Sequence, residues 1–542
     1  MALVNESVQY GRILITTDEK YITKENVRRV LLDAYTVHLM NRERINFLIK
    51  YERGDQPLQR KKVIRHDIDI ICTDSLPNEI VEFKTGYKWG NPITYKQRSI
   101  YDANESDSKV DNSGIAEINE MLNEEDVFSA DAELGYFVET CGVGYQLVDI
   151  KRNVDCTAVF DIVTLNPMNT FVVYDNSVHH RPLMGVTYVT DNSGNTHFTC
   201  MTDSQRFQIT NLSKFDGENE EDGMVFGWRN GEKNPFEMVN IVEFIRSSDR
   251  MGCFERQISA IDALNILESD FCNNVAQDTQ ALWWGDNLDL PEKYDSDGNV
   301  VGYKVPKSGG WILTESGENK KASVQALVIA TQYDGILSNI KYQRDIIKQR
   351  CFVPIMASAG GGSTGTAMSM SSGWENAEVQ AQKEEAYMRR GKMQIARLIL
   401  KAIQESTDTP EDSKALHLNI SDIQPSILRD RNYDMATKAN TLATLLNNGI
   451  DPKHAIETIK LFPDTNLVYE DSQKYLDLYF EAKRAAISRA QSGESGDVKI
   501  DDDGTVETKT GSQDSSMQAS NSPFIGGTAT STGGRHGAGV TK

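Results

Sequence analysis

Between residues 253 and 405 the apolar positions fall into three helical stripes. The first stretch, FERQISAIDALNILESDFCNNVAQDTQAL, spaces Phe254, Ile258, Ile261, Leu264, Leu267, Phe271 and Val275 three or four residues apart, which draws one narrow stripe along a helix. The second begins near Val324 and carries Leu327, Val328, Ile336, Leu337, Ile340, Ile346 and Ile347; the third follows Trp374 through Ala381, Met388, Ile395, Leu398 and Ala402. Each predicts a rod of roughly 25 to 30 residues, about 40 Å at 1.5 Å per residue. Rods of that length need neighbours along most of their surface, so the pattern predicts an assembly of several subunits.

Upstream, Ile22 to Tyr51 has helical spacing in Val27, Val30, Leu31, Ala34, Leu39 and Ile45, with Thr23 as the predicted N-cap. PNEIVEFKTGYKWG predicts a second helix with Ile80, Val81, Phe83 and Tyr87 on its apolar side, ended by Gly90 and Asn91-Pro92. Asp102 to Asn112 reads as an exposed loop. After a helical start at Met121 and Leu122, ELGYFVETCGVGYQLVDI leads into short strands. From there to about Glu243, alternating runs such as TFVVYDN and RFQITNLSKFD predict a β region, with Asn192-Ser193-Gly194-Asn195 as a hairpin turn and Asp216 to Gly223 as a solvated loop.

Between the first two rods, residues 283–323 contain short β runs around Asp297-Gly298 and predict a small tip domain. After the second rod, Pro354 and AGGGSTGTAMSMSSG form a polar, glycine-rich loop that enters the third. Residues 407–490 predict an all-α unit, broken at Thr407-Asp408-Thr409-Pro410, Asn447-Asn448-Gly449 and Asp451-Pro452. The Ser-, Gly-, Thr- and Asp-rich stretch 491–542 has little to bury and is expected to be disordered. The overall class is α+β, in several domains, because 542 residues exceed one ordinary core.

Charge narrows the function classes. The balance of 57 Lys and Arg against 79 Asp and Glu, a net −22, argues against an adhesive nucleic-acid binder but permits a protein past which DNA slides. Seven scattered cysteines without a C-x-x-C pair read as small buried hydrophobes in a reducing compartment. No apolar run approaches the roughly 20 residues of a membrane span, and MALVNESVQYGR lacks a signal pattern, so a soluble protein made in a cytoplasm is expected.

Motifs for chemistry are weak. Gly360-Gly361-Gly362-Ser363-Thr364-Gly365 has Walker A glycine spacing, but Thr366 stands where the phosphate-binding lysine belongs, and the loop follows a helix. Asp74 with Glu82-Phe83-Lys84 imitates the Asp and Glu-x-Lys of some metal-dependent nucleases; in a helical pattern these residues turn to different faces, and a solvated helix face is the simpler expectation. Asp295-Ser296-Asp297-Gly298-Asn299 reads as a hairpin turn and not as a calcium loop, because its glycine comes too early. His179-His180 reads as a surface loop. No metal, cofactor or enzymatic activity is called for.

Four stretches carry a resemblance: EIVEFKTGYKWGNPITY (79–95); YFVETCGVGYQLVDI (136–150) followed by NPMNTFVVYDNS (166–177); IDALNILESDFCNNVAQDTQALWW (261–284); and the glycine loop entering the last long helix. Over about residues 20–405 the chain resembles the portal proteins of tailed bacteriophages, in the family of long-tailed phages of Gram-positive hosts. The resemblance implies a ring of about twelve subunits around a DNA channel at one capsid vertex. It implies an α/β wing (1–252), stem helices (253–282 and 324–352), a clip (283–323), a tunnel loop (353–374), a long wing helix (375–406) and a crown (407–490).

On that resemblance Gly360, Gly361, Gly362, Ser363, Thr364, Gly365, Thr366, Ser369 and Ser371 line the DNA channel, and Ile258, Ile261, Leu264, Leu267 and Phe271 pack the stem. Trp283, Trp284, Tyr294 and Trp311 of the clip would dock the terminase large subunit, an ATPase that supplies packaging energy, and later the head–tail adaptor; the tryptophans could equally fill the clip's own core. Major capsid and scaffolding proteins are further implied partners, and the implied location is the virion, assembled in the host cytoplasm without a membrane. The alternatives are a nuclease using Asp74, Glu82 and Lys84, or another oligomeric virion connector or scaffold without a channel.

Overall fold

The computed structural model describes residues 11–58, 68–98, 113–151, 158–210, 212, 223–226, 233–279, 332–355, 373–429 and 435–459, most of 282–327, and scattered positions beyond 467. The chain forms two units, Met1–Tyr469 and Glu470–Lys542. In the first, β1 (Thr16–Thr17) precedes α1 (Val27–Glu52), which starts later than the spacing predicts. The Thr23 carbonyl accepts the Val27 N–H at 2.9 Å and Asn26 Oδ1 accepts the Thr23 N–H at 2.7 Å, so Thr23 belongs to a turn ahead of the helix and is not its cap. Next come α2 (Leu76–Trp89), which carries Pro77 in its first turn and stops at Gly90 as expected, and β2 (Thr94–Gln97).

Two helices follow, α3 (Ser113–Glu124) and α4 (Val127–Cys141). The second corrects the strand-leading reading of ELGYFVETC. Phe137, Val138, Glu139, Thr140 and Cys141 are all buried, so the last turns of α4 are covered on every side and lose the amphipathic period. Gly142, at φ +78°, ends it with its N–H on the Val138 carbonyl at 3.0 Å.

The β region is β3 (Val143–Ile150), β4 (Phe160–Leu165), β5 (Thr170–Asp175), β6 (Pro182–Thr190), β7 (Thr196–Thr202), β8 (Arg206–Thr210), β9 (Gly223–Phe226) and β10 (Ile241–Ile245). One sheet runs β1-β5-β6-β7-β8-β9, antiparallel except at β1–β5, and covers α1 through Phe171, Val186, Phe198 and Phe207. The other runs β10-β3-β4. The predicted hairpin closes β6 onto β7: Asp191 Oδ1 accepts the N–H groups of Ser193 at 2.9 Å and Asn195 at 2.8 Å, and Gly194 takes φ +83°.

The helical region contains α5 (Ile258–Thr279), then β11 (Leu282–Asp286), β12 (Glu292–Tyr294), β13 (Val300–Tyr303), β14 (Trp311–Thr314) and β15 (Ser323–Leu327), then α6 (Tyr333–Arg350) and α7 (Trp374–Glu405). Here the second rod is corrected. Val324 and Leu327 lie in a strand, opposite Gly285 and Leu282 of β11, and the helix begins at Tyr333. The stretch Ser323–Leu327 fits a period of two as well as of three, and pairing with β11 selects the strand. The rods are therefore 22, 18 and 32 residues, and only α7 reaches the predicted length.

A second correction concerns the all-α unit expected from residue 407. A short 3-10 turn at Lys414–His417 and β16 (Ile423–Ser426), antiparallel to β2, place Ala415 and Ile423 in the same core as Trp89, Tyr95 and Phe244. The described helices of that region begin only at α8 (Met435–Asn447) and α9 (Pro452–Ile459). In the second unit β17 (Lys499–Ile500) pairs with β18 (Val506–Glu507), inside the stretch expected to be disordered; the rest of 491–542 lies outside the described residues.

Helix α7 crosses this core on a ring of charges. Lys88 of α2 pairs with Glu139 of α4 and Glu384 of α7, and Arg246, just after β10, pairs with the same two carboxylates at 3.3 Å and 2.5 Å. All four side chains are nearly out of solvent, at 6, 0, 5 and 12 % exposure for Lys88, Glu139, Glu384 and Arg246. Gly391 lets α7 approach the sheet, since a Cβ there would collide with the Phe244 ring.

Burial acts to raise the Glu384 pKa, but Lys88 and Arg246 outweigh it and hold it at about 2. At Glu378 burial is likewise overcome, by Arg429 and the Tyr87 hydroxyl, again to about 2. Both sit below the ordinary 4.5, so their stabilisation is complete above about pH 4.5 and is lost as the pH falls toward about 2. The thermal midpoint is predicted to drop across that window, and Glu378→Gln to make the drop shallower; an equally steep drop in the variant contradicts this.

Candidate functional site

The described residues present helix and sheet surfaces. Along α5, Asn265, Ser269 and Asn273 recur every fourth residue and are buried, at 0, 0 and 5 % exposure. They meet residues 70, 72 and 74 of the segment leading into α2. Asn273 Oδ1 accepts the Ile70 N–H and Nδ2 donates to the Ile70 carbonyl, each at 2.9 Å. Ser269 Oγ accepts the Cys72 N–H at 3.0 Å, and Asn265 Oδ1 accepts the Asp74 N–H at 2.8 Å. Four helical residues rise about 6 Å and two extended ones about 6.6 Å, so the two repeats stay in step. Side chains thus satisfy a backbone that joins no sheet. Reading for apolar stripes missed this ladder; its signal was the spacing of the small polar residues on the stripe's flank.

The predicted stem stripe divides in two. Ile258, Ile261 and Leu264 are buried against this chain's own Leu48, Tyr51, Leu76, Ile80, Val81 and Ile347, which takes them away from any neighbouring copy. Leu267 and Phe271 are half-buried and Val275 is exposed. Phe271 meets Tyr333 of α6 edge-on at 5.8 Å. On α6, Leu337 and Tyr342 are exposed, and among its residues only Ile347 is buried.

The nuclease constellation is dispersed. Asp74 pairs with Arg344 of α6 at 3.1 Å, and Glu79 holds Arg344 at 2.9 Å and Lys348 at 2.5 Å. Glu82 is exposed, whereas Lys84 is buried beside the charge ring with its ammonium 5.7 Å from the Phe352 ring centre. The expected solvated face is therefore wrong for Lys84: burial, with Lys88 close by, pushes its pKa down. Among the described residues no group of three or more His, Cys, Asp or Glu is arranged to hold a metal ion. A groove of about 640 Å³ lies between β5, β10 and α7, but its central carboxylate, Glu243, already accepts from the Tyr174 hydroxyl at 2.7 Å and Arg250 at 2.8 Å. His179 and His180 line its mouth, exposed as expected.

At the tip, β11 is the centre of a sheet ordered β14-β11-β15. Trp283 stands opposite Trp311 and Ala326, and Trp284 opposite Ile312 and Gln325. Trp283 and Trp284 are half-buried, and Trp284 Nε1–H donates to Thr314 Oγ1 at 2.9 Å, whose hydroxyl donates to Asp286 at 2.8 Å. Ile312, Leu313, Val324 and Tyr294 are exposed. Asp295 to Asn299 turns β12 into β13 as predicted, with the Asp295 N–H on the Asn299 carbonyl at 3.0 Å and Gly298 at φ +80°. The glycine loop, with Gly360, Gly361, Gly362, Ser363, Thr364, Gly365, Thr366, Ser369 and Ser371, lies outside the described residues.

Residues 38–476 match the family model described as phage portal protein, SPP1 Gp6-like, which spans both the mixed lobe and the helices around the tip sheet. The chain belongs to the phage portal protein family. No curated protein matches it. A portal protein is structural and not enzymatic in kind, and membership places the chain in the virion, as an oligomeric connector of the capsid that meets capsid and DNA. Among the described residues of this portal protein no helix is long and apolar enough to cross a membrane.

If the ladder holds the 70–74 segment on this portal protein's α5, Asn273→Leu, which removes both Asn273 hydrogen bonds to Ile70, should cost about 1–3 kcal/mol. Hydrogen exchange at Ile70 and Cys72 should accelerate in the variant; unchanged exchange there sinks the assignment.

Proposed function

We propose that this portal protein closes into a ring of about a dozen copies at one capsid vertex, and that the duplex genome enters and leaves through its channel. The observation that carries the reading is the excursion between α5 and α6. The chain leaves α5 through β11 and returns to α6 through β15, which is hydrogen-bonded to β11, so a β unit stands at the ends of two helices that keep Val275, Leu337 and Tyr342 exposed. Exposed apolar side chains grouped on neighbouring helices suit contacts with adjacent copies, and in a ring each copy uses two different faces.

In this reading the tip sheet, as clip, docks the terminase large subunit and then the head–tail adaptor, with Trp283, Trp284, Trp311 and Tyr294 as aromatic anchors. The lobe before α5 is the wing, which meets major capsid and scaffolding proteins, and the helices after β16 are the crown. The net charge of −22 keeps duplex DNA from adhering to the channel. Residues 353–374 serve as the tunnel loop: their glycines and hydroxyls touch a moving strand weakly, while the terminase hydrolyses ATP.

Deleting Gly360 to Ser372 should leave ring assembly intact and impair genome packaging or retention, read as packaged DNA per particle. Normal packaging into infectious particles by that variant removes the loop from the channel.

A further inference from the structure

The ladder on α5 brings two cysteines together. Cys72 sits between Ile70 and Asp74, with its N–H bonded to Ser269, and Cys272 lies beside Asn273, which holds Ile70. Positions 269, 272 and 273 share one helix face, three and four residues apart. The same register that satisfies the backbone therefore sets the Cys72 Sγ 3.4 Å from the Cys272 Sγ. Both side chains are half-exposed, within reach of a solvent oxidant, whereas Cys141, Cys200, Cys253 and Cys351 are buried. We propose that Cys72 and Cys272 are a redox-closable pair whose disulfide staples the 70–74 segment to α5.

Closure needs a two-electron acceptor, and a small-molecule disulfide such as oxidised glutathione supplies it. One cysteine thiolate attacks a glutathione sulfur, forming a mixed disulfide and expelling one glutathione thiolate. The second cysteine thiolate then attacks the protein sulfur of that adduct and expels the other glutathione. In sum two protein thiols are oxidised to one disulfide and one glutathione disulfide is reduced to two thiols. Burial, followed by the neighbouring Cys272 and Glu268, raises the Cys72 pKa, so thiolate is scarce at neutral pH and the first attack is slow. A reducing cytoplasm leaves the pair open during folding; an oxidising medium closes it. The bridge joins residues 200 apart in sequence, so it removes much freedom from the unfolded chain while asking little movement of the folded one.

The full chain is incubated with graded ratios of reduced to oxidised glutathione at pH 8, quenched with N-ethylmaleimide, digested and analysed by mass spectrometry. A Cys72–Cys272 cross-linked peptide should form, revert with dithiothreitol and form faster as the pH is raised. The oxidised protein should melt several degrees above the reduced one. Cys72→Ser and Cys272→Ser, each checked for folding by its melting curve under reducing conditions, should lack both the cross-link and the oxidation-dependent rise. Glutathione adducts alone, unmodified thiols at the most oxidising ratio, or a bridge from either residue to a different cysteine would overturn the proposal.

Discussion

Where the long helix crosses the lobe, four side chains that water barely reaches meet in one buried cluster, beside an apolar core and a second buried pair, Lys392 with Asp131. Lys88, Glu139, Arg246 and Glu384 come from α2, α4, the exit of β10 and α7, and each cation touches both carboxylates. A closed, neutral arrangement of this kind compensates its own desolvation only when all four members are present, and removing one partner from a buried pair typically costs about 3–5 kcal/mol. The charges add direction to the apolar contacts of α7, and Gly391 against Phe244 lets the helix come close to the sheet.

With α7 fixed, the rest of the molecule divides by what it buries. The upper half of α5 is held by α1 and α2, and α6 is clamped by Arg344 and Lys348 to Asp74 and Glu79. Beyond that clamp the ladder still holds α5 to residues 70–74, but Val275, Leu337, Tyr342, Ile312, Leu313 and Val324 stay exposed. A chain that is well buried in its lobe and sparsely covered along two helices and a β tip is built to be completed by other copies and other proteins, which is what membership of the portal family implies.

What the sequence disclosed follows the range of the forces involved. The stop at Gly90, the hairpin at Asn192–Asn195 and the turn at Asp295–Asn299 are local, set by glycines and by Asp side chains bonding backbone a few residues away, and all were legible. Helix α4 was not, because a segment buried on most sides loses its period, and β15 was not, because its identity depends on β11, far off in the chain. Lys84 looked like a solvated residue, and the apolar pattern drew no attention to Asn265, Ser269 and Asn273; each is buried through partners distant in sequence. The short β runs between the two helices were recognisable, but the use of Trp284 and Asp286 as a hydrogen-bonded pair through Thr314 was not.

In the proposed ring, identical copies complete the exposed faces of α5 and α6 around a channel. Light scattering on a sizing column, with electron microscopy of the same peak, should show a closed ring of about a dozen subunits with a hole of roughly 20 Å or more, wide enough for duplex DNA. A two-fold dimer that covers Val275, Leu337 and Tyr342, or a closed particle with no such hole, would contradict it.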